Sequence, residues 1–221
     1  MEGRFRVEGI YDNRTLQRLQ DLNLKDLSFD FRPRSFNFLQ QHTFMELVEN
    51  ISTEDRLYLH FENEADFVVE KILTDLLISR SRDKVLLEFS DDQSVEYYEK
   101  FKSPFYWHYN SQSKNANLIA KSKYLKGMII PFSELLKSFE NNTLHNFTNN
   151  FHAQFFNVME INKCELVLRM DWDSNLFSSI VEYFDFSLIS IPINNKVEVC
   201  YRNVDLTKVQ QHVSHLKALN L

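Results

Sequence analysis

The amino-acid sequence predicts an α/β fold, a single (β/α)8 or TIM barrel occupying residues 1–221 as one domain. Two observations lead there. Short β-prone runs alternate eight times with segments of 3.6-residue hydrophobic period. No linker, low-complexity tract or charge block interrupts that beat, and a chain of 221 residues lies within the usual span of one such barrel.

The elements follow in order. Arg4 to Ile10 is the first β-prone run, and Tyr11-Asp12-Asn13 supplies a turn with a helix N-cap. Leu16, Leu19 and Leu22 recur at helical spacing, and Leu27 to Phe31 alternates as the second strand. Phe44, Leu47, Val48 and Ile51 mark a short amphipathic helix before the third strand, Arg56 to Phe61, which carries His60. The clearest helix comes next, with Ala65, Val68, Val69, Ile72, Leu73, Leu76 and Leu77 on one face. Lys84 to Phe89 is the fourth strand, and Val95, Tyr98 and Phe101 mark its helix. Pro104 to Tyr109 is an aromatic fifth strand, read as core rather than as a platform for a planar ligand. A helix around Leu118-Ile119 leads to the sixth strand, Lys126 to Ile130, closed by Pro131. Phe132, Leu135, Leu136 and Phe139 form the next helical face, whereas residues 141–157 are expected to be a loop with a short helix. Glu165 to Met170 is the seventh strand, followed by Leu176, Ile180, Val181 and Phe184 at helical spacing. Phe186 to Ile191 is the eighth strand, and Leu206, Val209, Val213 and Leu216 line the last helix.

Composition narrows the function classes. A net charge of -6 and a pI near 5.7 argue against a nucleic-acid or anionic-membrane partner, which a basic face would serve. The Lys114, Lys121, Lys123 and Lys126 cluster is local and reads as a solvated helix face. No apolar run spans a bilayer, and the first residues lack a signal-peptide core, so the expectation is a cytoplasmic protein, monomer or homodimer, with no membrane partner. Cys164 and Cys200 are too few for a disulfide framework and read as buried thiols. The sequons at Asn141 and Asn146 read as chance in an Asn-rich chain. Only three glycines are present, where average usage of about 7% would give roughly fifteen. Gly3, Gly9 and Gly127 alone cannot build glycine-rich phosphate loops, and twenty phenylalanines fill volume instead.

The opening segment resembles phosphoribosylanthranilate isomerase, a single-domain (β/α)8 barrel of tryptophan biosynthesis. Arg6-Val7-Glu8-Gly9-Ile10 stands over that family's first strand, Lys-(Ile/Phe)-Cys-Gly-Ile. Ser28-Phe29-Asp30-Phe31 with Pro33-Arg34-Ser35 stands over its Gly-Phe-x-Phe and Pro-Lys-Ser. Arg56 to Glu64, Val85 to Phe89, Leu166 to Trp172 and Tyr201 to Leu206 continue the likeness over nearly the whole chain. The resemblance implies the barrel fold and, in an active member, a ring-opening isomerisation needing an acid, a base and a phosphate seat. The residues that carry that chemistry differ. Glu8 stands at the position of the general-base cysteine, and Pro131 at that of the general-acid aspartate. The substrate-binding arginine falls on Asn37, with Arg32 and Arg34 nearby as stand-ins. The phosphate-binding glycines fall on Met170, Asp171 and Ile193, and a histidine-glycine pair falls on Glu88 and Phe89. An aspartate near a bound dianion costs on the order of 4 kcal/mol per unit-charge repulsion at ~4 Å and an effective dielectric near 20.

Glu8, Asp30, His60, Glu88, His108, Arg169 and Asp171 all fall near the C-terminal ends of strands, where sites of this fold are found. Three readings follow. In one, they form a salt-bridged plug, for example Arg169 with Glu8 or Glu88. In another, carboxylates and histidines hold a divalent ion. In the third, they line a metal-free pocket for a small-molecule ligand. The expected function is a non-catalytic binding or interaction protein with no cofactor. The alternative is a divergent isomerase or lyase on a sugar phosphate, with Glu8 as general base, His60 and Glu88 beside it, and Arg32, Arg34, Asn37, Arg169 and Asp171 holding substrate. His212 and His215 on the last helix read as solvated.

Overall fold

The structure is a computed structural model that describes residues 4–172 and 183–218. Eight parallel strands close into a barrel in sequence order: β1 (Arg4–Glu8), β2 (Asp26–Asp30), β3 (Arg56–Phe61), β4 (Val85–Phe89), β5 (Phe105–His108), β6 (Leu125–Pro131), β7 (Glu165–Arg169) and β8 (Leu188–Pro192). The ring closes through β1 and β8, where Arg4 to Glu8 pair in register with Leu188 to Pro192. The intervening helices are α1 (Asn13–Asp21), α2 (Gln41–Val48), α3 (Asp66–Leu76), α4 (Val95–Glu99), α5 (Ala116–Ala120), α6 (Phe132–Glu140) and α7 (Leu144–Asn162). A two-stranded hairpin of β9 (Glu198–Cys200) and β10 (Asn203–Val204) precedes α8 (Leu206–Ala218). Among the described residues, no helix is long and apolar enough to cross a membrane.

Strand alternation divides each run into two faces. Phe5, Val7, Leu27, Phe29, Leu57, Leu59, Leu87 and Phe89 point outward and join the large apolar cluster shared with the helices. Their neighbours in sequence point inward, where Tyr58, Leu86, Tyr106, Ile129, Val167 and Leu188 make a separate small core. Gly127 leaves room for one of them, since a Cβ there would come within 2.4 Å of the Tyr106 ring. Below that core, at the N-terminal end, Arg4 bonds Asp26 and Glu165 at 2.6 Å each, and Tyr106 donates to Glu165. Above it lies the polar layer that forms the site.

The predicted N-cap is present: both Asp12 carboxylate oxygens accept from Thr15, from its backbone N–H and its hydroxyl, at 2.8 Å. Several expectations are corrected. The stretch expected to be irregular is largely helix, α7, because Phe147, Phe151 and Phe155 recur at helical spacing and pack against Tyr109. The eighth strand starts two residues later than expected. The lysine cluster is exposed but lies on loops and on β6 rather than on a helix face. Cys164 is half-buried, with burial raising its thiol pKa to about 11, whereas Cys200 is exposed on the hairpin. His212 is not fully solvated: its ring packs 4.8 Å from that of Trp172. The expected helical residues Leu176, Ile180 and Val181 lie outside the described residues.

Candidate functional site at the barrel mouth

A cavity of about 330 Å³ opens at the C-terminal end of the barrel. That is the low end of the range for small-ligand sites. The ends of β1, β2, β3 and β7 bring Glu8, Asp30, His60, Arg169 and Asp171 to its wall, and the loop after β2 adds Arg32 and Asn37. Glu88 lies beneath the cavity, fully buried, and Arg34 is exposed outside it. Most of the residues singled out in the sequence therefore converge on one space.

The floor is an ionic network centred on a residue that the sequence reading passed over. Arg6, completely buried, reaches Glu8 at 3.1 Å through Nη2 and donates from Nε to Ser190, whose hydroxyl donates in turn to Glu8. Its Nη1 lies 2.7 Å from Glu88 Oε2, an ionic contact rather than an aligned hydrogen bond. Its guanidinium also sits 4.5 Å above the Tyr58 ring. The signal was present: Arg6 is two residues before Glu8, so strand alternation sends both side chains inward.

Arg169 completes the floor, with Nε donating to Glu8 Oε2 at 2.7 Å. Burial alone would raise the Glu8 pKa, but Arg169 and then Arg6 more than offset it and hold the carboxyl well below the usual range. Glu88 behaves alike: burial is outweighed chiefly by Arg6. Both groups are carboxylates with their charge already matched.

His60 differs. Burial drives its pKa well below 6.5, against the attraction of Glu88, so the ring is neutral. Its Nδ1 lies 3.5 Å from Glu88 Oε1, and its Nε2 is buried with no partner among the described residues. His108 contacts the same Glu88 oxygen at 2.6 Å, and the two imidazoles stack 4.8 Å apart at 16°.

These three residues place ligand atoms within 4.8 Å of one another, which invites a metal reading. The geometry does not suit one. The two ring nitrogens that converge are already turned onto Glu88 Oε1, at 3.5 and 2.6 Å. Arg6 already occupies Glu88, and Arg6 and Arg169 balance Glu8 and Glu88, so a dication would add two uncompensated buried charges.

The walls are also self-satisfied. Asp30 is held by Arg32, at 2.9 and 2.6 Å, and by the Ser35 hydroxyl. Asp171 is bound to Lys196 Nζ at 2.7 Å and accepts the Trp172 N–H, so its negative charge is neutralised locally. The repulsion expected from Asp171 toward an anion is correspondingly smaller. Three backbone N–H groups around the cavity are engaged elsewhere: that of Met170 donates to Ser190 O, that of Ile193 to Glu8 O, and that of Lys196 to Asn194. Asn37 donates to Ile193 O at 2.7 Å and packs on Gly9, where φ is +78° and a Cβ would meet its amide at 2.2 Å. Glycine is required there for both reasons.

No protein-family model and no curated protein matches the chain. Solved structures do. A phosphoribosylanthranilate isomerase in complex with reduced 1-(o-carboxyphenylamino)-1-deoxyribulose 5-phosphate is 11% identical, covering 98% of this chain and 99% of its own, with a TM-score of 0.69. Phosphoribosylanthranilate isomerase from Thermotoga maritima is 11% identical over 98% and 99%, with a TM-score of 0.67. An HpcH/HpaI aldolase from Desulfitobacterium hafniense is 9% identical over 98% and 93%, with a TM-score of 0.62. At these identities the likeness is one of fold: the chain is a (β/α)8 barrel built like the phosphoribosylanthranilate isomerases.

Proposed function

We propose that this protein is an isomerase-like barrel that binds a small polar molecule at its mouth and does not catalyse phosphoribosylanthranilate isomerisation. The observation that carries the reading is the state of Glu8. A general base must have a pKa near the working pH, whereas this carboxylate is depressed and accepts from Arg6, Arg169 and Ser190 at once. It is committed to holding the floor of the cavity together, with three of its roughly four lone-pair directions taken. Pro131, where the resemblance implies the general acid, has no ionisable group.

An isomerase or lyase reading is favoured by one group only. His60 is neutral, buried and lacks a partner at Nε2, so it is the residue through which any proton transfer at this mouth would run.

Stability measurements on Glu8→Ala, Arg169→Ala and the double variant separate the readings. Removing one member of a buried pair costs ~3–5 kcal/mol, so Glu8→Ala should unfold at markedly lower denaturant and the double variant should regain part of the loss. The native protein should leave phosphoribosylanthranilate unchanged. A stabilised Glu8→Ala, as expected of a carboxylate kept unpaired for catalysis, or measurable turnover, would overturn the proposal.

A further inference from the structure

We infer that the ligand of the mouth cavity is a neutral, polyhydroxylated ring, a free monosaccharide or cyclic polyol, rather than a phosphorylated one. This deepens the binding reading above and rests on it.

The first support is charge. On the cavity wall Glu8 pairs with Arg169 and Asp30 with Arg32, so Asp171 leaves a formal charge of -1, which Lys196 offsets. Directly beneath, Arg6 and Glu88 cancel. A wall balanced in this way offers no net attraction to a phosphate dianion. Nor does it offer the Met170, Ile193 and Lys196 N–H groups, which already donate within the protein.

The second support is a pair of buried acceptors without partners. Asn37 spends its amide N–H on Ile193 O, leaving Oδ1 buried and unpaired. His60 has its Nδ1 toward the ionised Glu88, so the neutral ring carries its proton there and Nε2 is left as an acceptor, also unpaired. Both atoms are closed off from water, so a ligand hydroxyl reaches them once the side chains above shift slightly, and it then recovers the roughly 1–3 kcal/mol that a buried acceptor left unmade costs. Among the described residues Arg169 hydrogen-bonds through Nε alone, to Glu8, which leaves its terminal amino groups to donate to ring or hydroxyl oxygens. Acceptors from the β2 and β3 side and donors from β7 opposite match hydroxyls, which are both donor and acceptor.

The third support is the rim. Phe36 lines the cavity yet is 44% exposed, and Tyr201 from the hairpin meets it edge-on at 5.5 Å with 73% exposure. An open aromatic face above a hydroxyl-matching floor suits the C–H face of a sugar or polyol ring.

The test is calorimetric titration and thermal shift of the full chain with ribose, glucose and myo-inositol, against ribose 5-phosphate and glucose 6-phosphate. At least one neutral compound should bind and raise the melting temperature with concentration, with its phosphorylated counterpart at least tenfold weaker. Asn37→Ala should weaken binding about tenfold. Phe36→Ala, at an exposed position that leaves the fold intact, should weaken it severalfold. Phosphosugars binding as tightly as their neutral parents, or no neutral compound binding at all, would overturn the ligand class while leaving a binding role standing. Neutral sugars that bind but are consumed would instead overturn the non-catalytic reading and leave the ligand class intact.

Discussion

His60 and Glu88 share one buried contact, and the same burial pushes their pKa values in opposite directions before neighbouring charges act. For Glu88 and Glu8 the arginines win and the folded pKa falls. For His60 burial wins, and its folded pKa also falls well below the ordinary 6.5 of histidine. In every case the folded state binds its proton less readily than the unfolded one. The stability each group contributes is therefore complete above its unfolded pKa and is lost as pH drops toward its folded pKa. His60 acts first, from 6.5 downward, and the carboxylates from 4.5 downward. A melting-temperature series from about pH 8 to about pH 4 should accordingly be flat at first, decline below about pH 6.5, and steepen below about pH 4.5. His60→Phe should flatten the upper part of the decline and leave the lower. Parallel curves for the two proteins would show that His60 is not held neutral.

At the scale of elements, the near-absence of glycine has a visible structural counterpart. Asn23, Asn63, Asn142, Lys102, Lys163 and Arg202 all adopt positive φ, at turns and helix ends where glycine is the usual residue. Asparagine tolerates that region because its short amide bonds locally, whereas lysine and arginine do not share that advantage. Lys163 ends α7 at φ 50° and ψ 45°, with its N–H on Glu160 and Met159 carbonyls. Lys163→Gly should therefore stabilise the protein by about 1 kcal/mol, read as a higher denaturant midpoint with unchanged slope. No gain would mean that the side chain makes a compensating contact. The same elements show what was legible in the sequence. Alternation placed the strands, and Asp12 placed a cap, because both signals are local. Helix α7 was masked although Phe147, Phe151 and Phe155 stand at helical spacing, because its Asn-rich composition resembles a loop and the Tyr109 it packs against, just past β5, is distant in sequence. Cys200 was misplaced because the hairpin that exposes it leaves no periodic signal.

At the scale of the whole molecule, the barrel interior is two ionic layers separated by one apolar layer. Arg4, Asp26 and Glu165 close the lower end, and Arg6, Glu8, Glu88 and Arg169 close the upper. The acids at the mouth were legible from their places at strand ends. For Arg6 only the inward direction was legible, two residues before Glu8; its role was not, because that depends on Glu88 and Ser190, which come from strands far away in sequence. Its burial makes the strongest prediction about the interior. Arg6 and Glu88 are the pair with no exposed side-chain surface at all. Arg6→Met would leave Glu88 and Glu8 with only Arg169 as a buried counter-charge, and should cost ~3–5 kcal/mol. Adding Glu88→Gln removes the stranded charge, restores the one-to-one match of Glu8 with Arg169, and keeps an oxygen for His108. The double variant should therefore be more stable than Arg6→Met alone, close to the native protein, because replacing a whole buried pair is often neutral. Urea midpoints of the native, single and double variants give the coupling directly. A double variant no more stable than Arg6→Met would mean that the guanidinium acts by filling the space over Tyr58 rather than by its charge, and the upper layer would then be a packing device.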